Sequence, residues 1–135
     1  DGSCLFWAAG TIEASSLLTR VFKSVGGVDL VGFSGLMLAL TEDTGLAQVT
    51  IDAQFDIHSL LTYSAVCGIG LDTVPIPGDT STEKISALMR ETGTMAFRLN
   101  KPLTVRVFPV PGLKAGDLTS FESDDLCNCA VLAVP

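Results

Sequence analysis

At 135 residues the chain has the length of one domain, and 47% of it is apolar while Asp, Glu, Lys and Arg together supply only 17%, against about 25% in an average soluble protein. So few charges leave part of the surface to be covered by another chain or by a further part of the same one. A net charge of −7 with eight scattered basic residues gives no footprint for a phosphate backbone, which excludes nucleic acid, and no apolar run reaches the ~18 residues of a membrane span.

The chain opens "DGSC" with no initiator Met and no basic segment leading an apolar run, which points to a processed or truncated product, with the cytoplasm as its expected compartment. From Thr11, the segment "TIEASSLLTRVFKSVGG" sets Ala14, Leu17, Leu18, Val21, Phe22 and Val25 at helical spacing, and Gly26-Gly27 supplies a stop. The short apolar runs "VDLVGF" and "LMLAL" read as strands, and "TEDTGLAQVT" as a short helix or loop. Asp56 is the expected N-cap of a helix over 57–66 that ends at Cys67-Gly68 and holds His58, the single histidine, in its first turn. No Ser-His-Asp or Cys-His device is supported there.

The strongest periodicity lies in 81–99, where Ile85, Leu88, Met89, Thr92, Met95, Ala96 and Leu99 share a stripe ~120° wide. The spacing predicts a helix started by a capping box, with Thr80 as N-cap and Glu83 reaching back, and ended at Asn100 before Lys101-Pro102. Gly93 and Phe97 lie off the stripe, as a packing contact would require. Next, "LTVRVFP" alternates Leu103, Val105 and Val107 with Thr104, Arg106 and Phe108, a strand pattern, and "CAVLAVP" reads as a last strand. Cys4, Cys67, Cys127 and Cys129 fit neither a secreted disulfide framework nor a zinc site and are expected to be reduced.

Two segments echo each other. "TVPIPGD" at 73–79 and "VFPVPGLKAGD" at 107–117 each follow a strand with Pro-x-Pro-Gly and deliver an aspartate shortly afterwards. If 71–75 and 103–109 are strands joined by the long helix, they form a right-handed βαβ unit and run parallel. Both corners then lie outside the carboxyl ends of the strands, where α/β proteins bind ligands. Asp79 and Asp117 are the candidate proton- or ion-handling groups, and Lys114 a candidate for polarising a carbonyl or holding an anion. Asp72 and Arg106 reach in from the strands, Gly78 and Gly112 shape the loops, and Lys101 belongs to the opposite end. Hard cations suit paired carboxylates, so a metal-dependent site is one form of this reading, with no cofactor specified. The competing account of Gly78, Asp79, Thr80 and Glu83 is a well-made turn and helix start.

The strings "GFSGLMLALTED", "YSAVCGIGLDTVPIPGDTS" and "RLNKPLTVRVFPVPGLKAGD", with the tail around Asn128, resemble the C-terminal region of an uncharacterised family, domain of unknown function 711, over about residues 32 to 130. The resemblance implies the C-terminal part of a longer protein, a βαβ-containing segment of a larger α/β barrel similar to the pyruvate formate-lyase fold. It does not carry radical chemistry over, because Arg106-Val107 is followed by Phe108-Pro109 and not by the Ser/Thr-Gly-Tyr of glycyl-radical enzymes. The expectation is an enzyme-like small-molecule site formed by the two loops. Its rival is a non-catalytic module that completes a larger barrel or a homo-oligomer.

Overall fold

A computed structural model describes residues 8–31 and 33–135. The elements in chain order are α1 (Thr11–Lys23), α2 (Thr44–Ile51), α3 (Ile57–Tyr63), β1 (Gly70–Pro77), α4 (Thr82–Leu99) and β2 (Thr104–Val110). The two strands pair in parallel across the α4 crossover, so the expected βαβ unit is present and the chain is an α/β segment.

One apolar cluster holds these elements together. Leu71, Val74 and Ile76 of β1 are fully buried and meet Ile57 and Leu60 of α3, Leu88 of α4 and Leu46 of α2, with Val105 and Val107 of β2 packed against them. Because side chains alternate across a strand, Thr104, Arg106 and Phe108 stand on the opposite face of β2.

The helix starts follow local chemistry. Asp43 and Asp56 cap α2 and α3 by accepting from the amides of Leu46 and Ser59. Burial pushes the Asp56 carboxyl up, but the Ser59 amide and hydroxyl and the nearby His58 outweigh it and leave the carboxyl below its ordinary value of 3.8. The lowered carboxyl stabilises the fold above its unfolded value, and that contribution is lost as pH falls through the lower folded value. Asp56→Ala is expected to lower stability by about 1 kcal/mol near neutral pH, with the gap from the parent closing in strong acid, as read by denaturant titration.

In α4 the cap falls one residue later than the spacing predicts. Ser81 accepts from the amide of Lys84, while the Thr80 hydroxyl and amide both turn back to the Pro77 carbonyl and close the strand-to-helix corner. Asn100, in the left-handed region at φ 48°, ends the helix as expected. Gly93 and Phe97 contact no covering element: Phe97 is 85% exposed, and a Cβ at Gly93 meets nothing within 4 Å. Gly93→Ala is therefore expected to raise stability by up to about 1 kcal/mol through helix propensity alone, a shift visible in the urea midpoint.

Three further expectations, of strand and helix extent, fail. Residues 28–31 and 33–38 carry no strand; only Ala39 forms an isolated bridge, to Asp72, because these runs meet one edge of β1 at a single point. The tail 129–135 also forms no strand, though Ala130 bridges Leu118 and the Leu132 amide reaches the Pro75 carbonyl. The helix over 57–66 stops at Tyr63 and passes into turns, where the Ser64 and Ala65 carbonyls accept from Lys101.

Helix α1 forms where the periodicity places it, with its polarity reversed. Ser15 and Thr19 are its buried residues, the Thr19 hydroxyl accepting from the Leu36 amide, while Leu17, Leu18, Val21 and Phe22 are exposed. Among the described residues no helix is long and apolar enough to cross a membrane.

Candidate functional site

The parallel pairing sets Pro75, Ile76 and Pro77 beside Phe108, Pro109 and Val110, so the two Pro-x-Pro-Gly corners leave the sheet side by side. They touch through their backbones. A Cβ at Gly78 would lie 2.6 Å from the Val110 carbonyl oxygen and 2.7 Å from the Pro111 Cα, and the Gly78 amide donates to the Leu113 carbonyl at 3.4 Å. Only glycine permits that approach. Gly112 has open space around it and takes φ 81°, which makes it a turn glycine.

Beyond the corners the expected groups separate. Asp79 is exposed and lines a cavity of about 320 Å³ with Thr80, Ser81, Lys84 and residues 115, 133 and 134. The Lys84 ammonium crosses to the Val134 carbonyl at 2.8 Å. Asp117 does not line that cavity: its Oδ2 accepts from the Lys114 amide at 2.7 Å, closing its own turn. The Lys114 side chain is exposed and makes no hydrogen bond among the described residues. Asp79, Lys114 and Asp117 thus share one edge of the sheet without forming a cluster.

Deeper along the strands the sequence's outer members become the most constrained polar pair. The register steps from Leu71↔Val105 to Val74↔Val107, so Asp72 and Thr73 together oppose Arg106, and β1 bulges there. Thr73 sits at φ 46°, a left-handed conformation that a β-branched residue adopts only under constraint. Its hydroxyl accepts from the Thr41 amide at 3.5 Å. The bulge turns Asp72 inward: it is 0% exposed, and its Oδ1 accepts a hydrogen bond from Arg106 Nε. Asp72 Oδ2 is buried with no partner among the described residues. The Asp72 hydrogen bond first and its charge second push Arg106 above its ordinary value; burial opposes them, and Glu42 adds the smallest push.

Lys101 sits at the other end of the sheet, as expected, donating to the carbonyls of Ser64, Ala65 and Cys67. Burial lowers its pKa, while Cys67 opposes that shift. His58 is exposed in the first turn of α3. Cys67, Cys127 and Cys129 are free thiols, with Cys129 pushed up to about 11 by burial, and Cys4 lies outside the described residues. Among the described residues no three His, Cys, Asp or Glu side chains gather as metal ligands.

Sequence reasoning missed Thr73 and Glu42. A threonine carries no signal for a left-handed backbone, and Glu42 acts on Arg106 through its charge alone, its segment being tied to β1 by the Ala39–Asp72 bridge.

Fold and site together define an α/β protein with a parallel-strand edge and a buried aspartate paired with a half-exposed arginine. The chain belongs to the family Uncharacterised ACR (DUF711), whose model matches residues 4–123. It is similar to a UPF0210 protein of Clostridium botulinum, 35% identical over 116 residues, which is 83% of this chain and 26% of the relative. A UPF0210 protein of Limosilactobacillus reuteri is 36% identical over 116 residues, again 83% and 26% of the two chains. One of Pyrobaculum aerophilum is 35% identical over 111 residues, 80% of this chain and 25% of the relative. The chain therefore spans about a quarter of the length of these curated relatives. No solved structure matches it.

Proposed function

We propose that this chain supplies one wall and the rim of a small-molecule site in a cytoplasmic, enzyme-like protein, as a segment of a larger α/β barrel. Asp72 and Arg106 form the wall; Asp79, Lys114 and Asp117 with Gly78 and Gly112 form the rim. The observation that carries this reading is Asp72 itself: fully buried, paired with a half-exposed Arg106, and left with one oxygen unpaired beside a strained Thr73. An ion pair that served packing alone gains nothing from an orphaned carboxylate oxygen, whereas strain and unsatisfied polar atoms concentrate where ligands bind. The loop aspartates and Lys114 then serve as rim groups and not as a preformed catalytic cluster.

The test is a thermal-shift series on the intact protein with organic acids, nucleotides and divalent ions. At least one class is expected to raise the melting temperature, Arg106→Lys to remove the rise, and Asp79→Asn to reduce it. A turnover assay on the stabilising compound then separates an enzyme from a sensor. No shift with any class would overturn the reading.

A second reading, of assembly, is favoured by α1. Its exposed Leu17, Leu18, Val21 and Phe22 form an apolar face suited to the remainder of a longer polypeptide or to a second copy. The two readings are compatible, and size-exclusion mass of the chain with and without flanking sequence discriminates the occupant.

A further inference from the structure

Resting on the small-molecule reading above, we propose that Arg106 receives the carboxylate of a singly charged organic acid whose apolar body lies against the Phe108–Phe121 pair.

The orientation of Arg106 comes first. Its Nε is engaged by Asp72, and its two terminal nitrogens make no hydrogen bond among the described residues, although the side chain is 55% exposed. A guanidinium anchored through one edge and open at the other presents parallel N–H donors, the geometry that a carboxylate accepts in bidentate fashion. Asp72 acts here as a positioning residue. Its burial and the bulge at Thr73 fix the anchor, so little side-chain entropy remains to be lost on binding.

The apolar wall comes second. Phe108 lies two residues beyond Arg106 on the same face of β2, nearer the rim, and its ring packs on Phe121 at 5.8 Å between centroids. Phe121 is held from behind. Asn128 Oδ1 accepts from the Phe121 amide at 2.6 Å and from the Thr119 hydroxyl at 3.0 Å, and Asn128 Nδ2 donates to the Phe121 carbonyl at 3.4 Å. That explains why an asparagine sits in this tail: it fixes the loop that carries the second ring. A cation next to a fixed aromatic wall matches a ligand with a charged head and an apolar body.

Charge selects among anions. Asp72 already balances the one guanidinium, so the pair is neutral before any ligand arrives. A monocarboxylate adds one negative charge to that neutral pair and a phosphate dianion adds two, which a single planar fork offsets less well.

The test uses the intact protein, with phenylacetate, acetate and inorganic phosphate as probes, and follows backbone and Arg side-chain resonances. Phenylacetate is expected to perturb Arg106, Phe108 and Phe121 and to bind at least about tenfold more tightly than phosphate, with acetate between them. Arg106→Lys keeps the charge opposite Asp72 but removes the fork, and is expected to weaken phenylacetate about tenfold while the spectrum stays folded. Asn128→Ala is expected to reduce the preference for phenylacetate over acetate without changing acetate binding. Unchanged phenylacetate affinity in Arg106→Lys, or phosphate binding as tightly as phenylacetate, would overturn the inference. Perturbation of the same resonances only by uncharged or cationic compounds would overturn it and leave the small-molecule reading standing. Silence of these resonances to compounds of every charge would end both.

Discussion

Gly70→Ala is expected to destabilise the protein by about 4 kcal/mol, roughly the sum of backbone strain and overpacking. Gly70 opens β1 at φ 120°, a region closed to L side chains, and it faces Thr104 at the first register pair. A Cβ there would stand 2.5 Å from the Thr104 carbonyl oxygen and 2.8 Å from its nitrogen. Both are backbone atoms, so no rotamer change relieves the contact. β1 would have to retreat from β2 where the Thr104 amide donates to the Ile69 carbonyl at 2.8 Å. Loss of that first pair carries through Leu71↔Val105 to the bulge, where Asp72 and Arg106 depend on the strand spacing. Urea denaturation reads the loss directly, and a change below about 1 kcal/mol would contradict the close approach of the strands.

Arg106→Ala is expected to cost about 2–3 kcal/mol, less than the ~3–5 kcal/mol of a fully buried pair, because departure of a half-exposed side chain lets water reach Asp72. The loss comes from Asp72, whose Oδ1 would join Oδ2 without a partner. Replacing Asp72 by Val in the Arg106→Ala background is expected to recover a large part of that loss, since an apolar residue at a fully buried position leaves no uncompensated charge. A double mutant no more stable than Arg106→Ala alone would show that the cost lies in lost packing of the arginine stem.

The sequence made α4 and the parallel pairing legible because each rests on a redundant signal. The stripe from Ile85 to Leu99 spans the whole helix, and a crossover helix between two strands admits essentially one handedness. The cap moved from Thr80 to Ser81 because two adjacent hydroxyls compete and the Pro77 carbonyl claims Thr80. The twin corners were readable from their prolines, and their contact through Gly78 followed from the register. What the loop aspartates do was not readable: Asp117 closes its own turn, which depends on the path of residues 114–117 and not on residue type.

The site's centre was visible as residues and hidden as an arrangement. Asp72 and Arg106 stood out as charges within strand patterns. Nothing in "LDTV" announces that Thr73 takes a left-handed backbone and shifts the register, and it is this step that lines Asp72 up with Arg106. The apolar stripe of α1 identified a helix, but a stripe does not state which side this chain covers. In this chain the covered side carries Ser15 and Thr19.

That inversion bears on how the polypeptide can be handled. A helix fastened by a hydroxyl and a backbone amide, with its oily side outward, has little to hold it, and its leucines and phenylalanine are sticky surface. With Leu17, Leu18, Val21 and Phe22 already outward, the polypeptide is expected to self-associate as its concentration rises, and amide exchange in α1 to run ahead of that in β1.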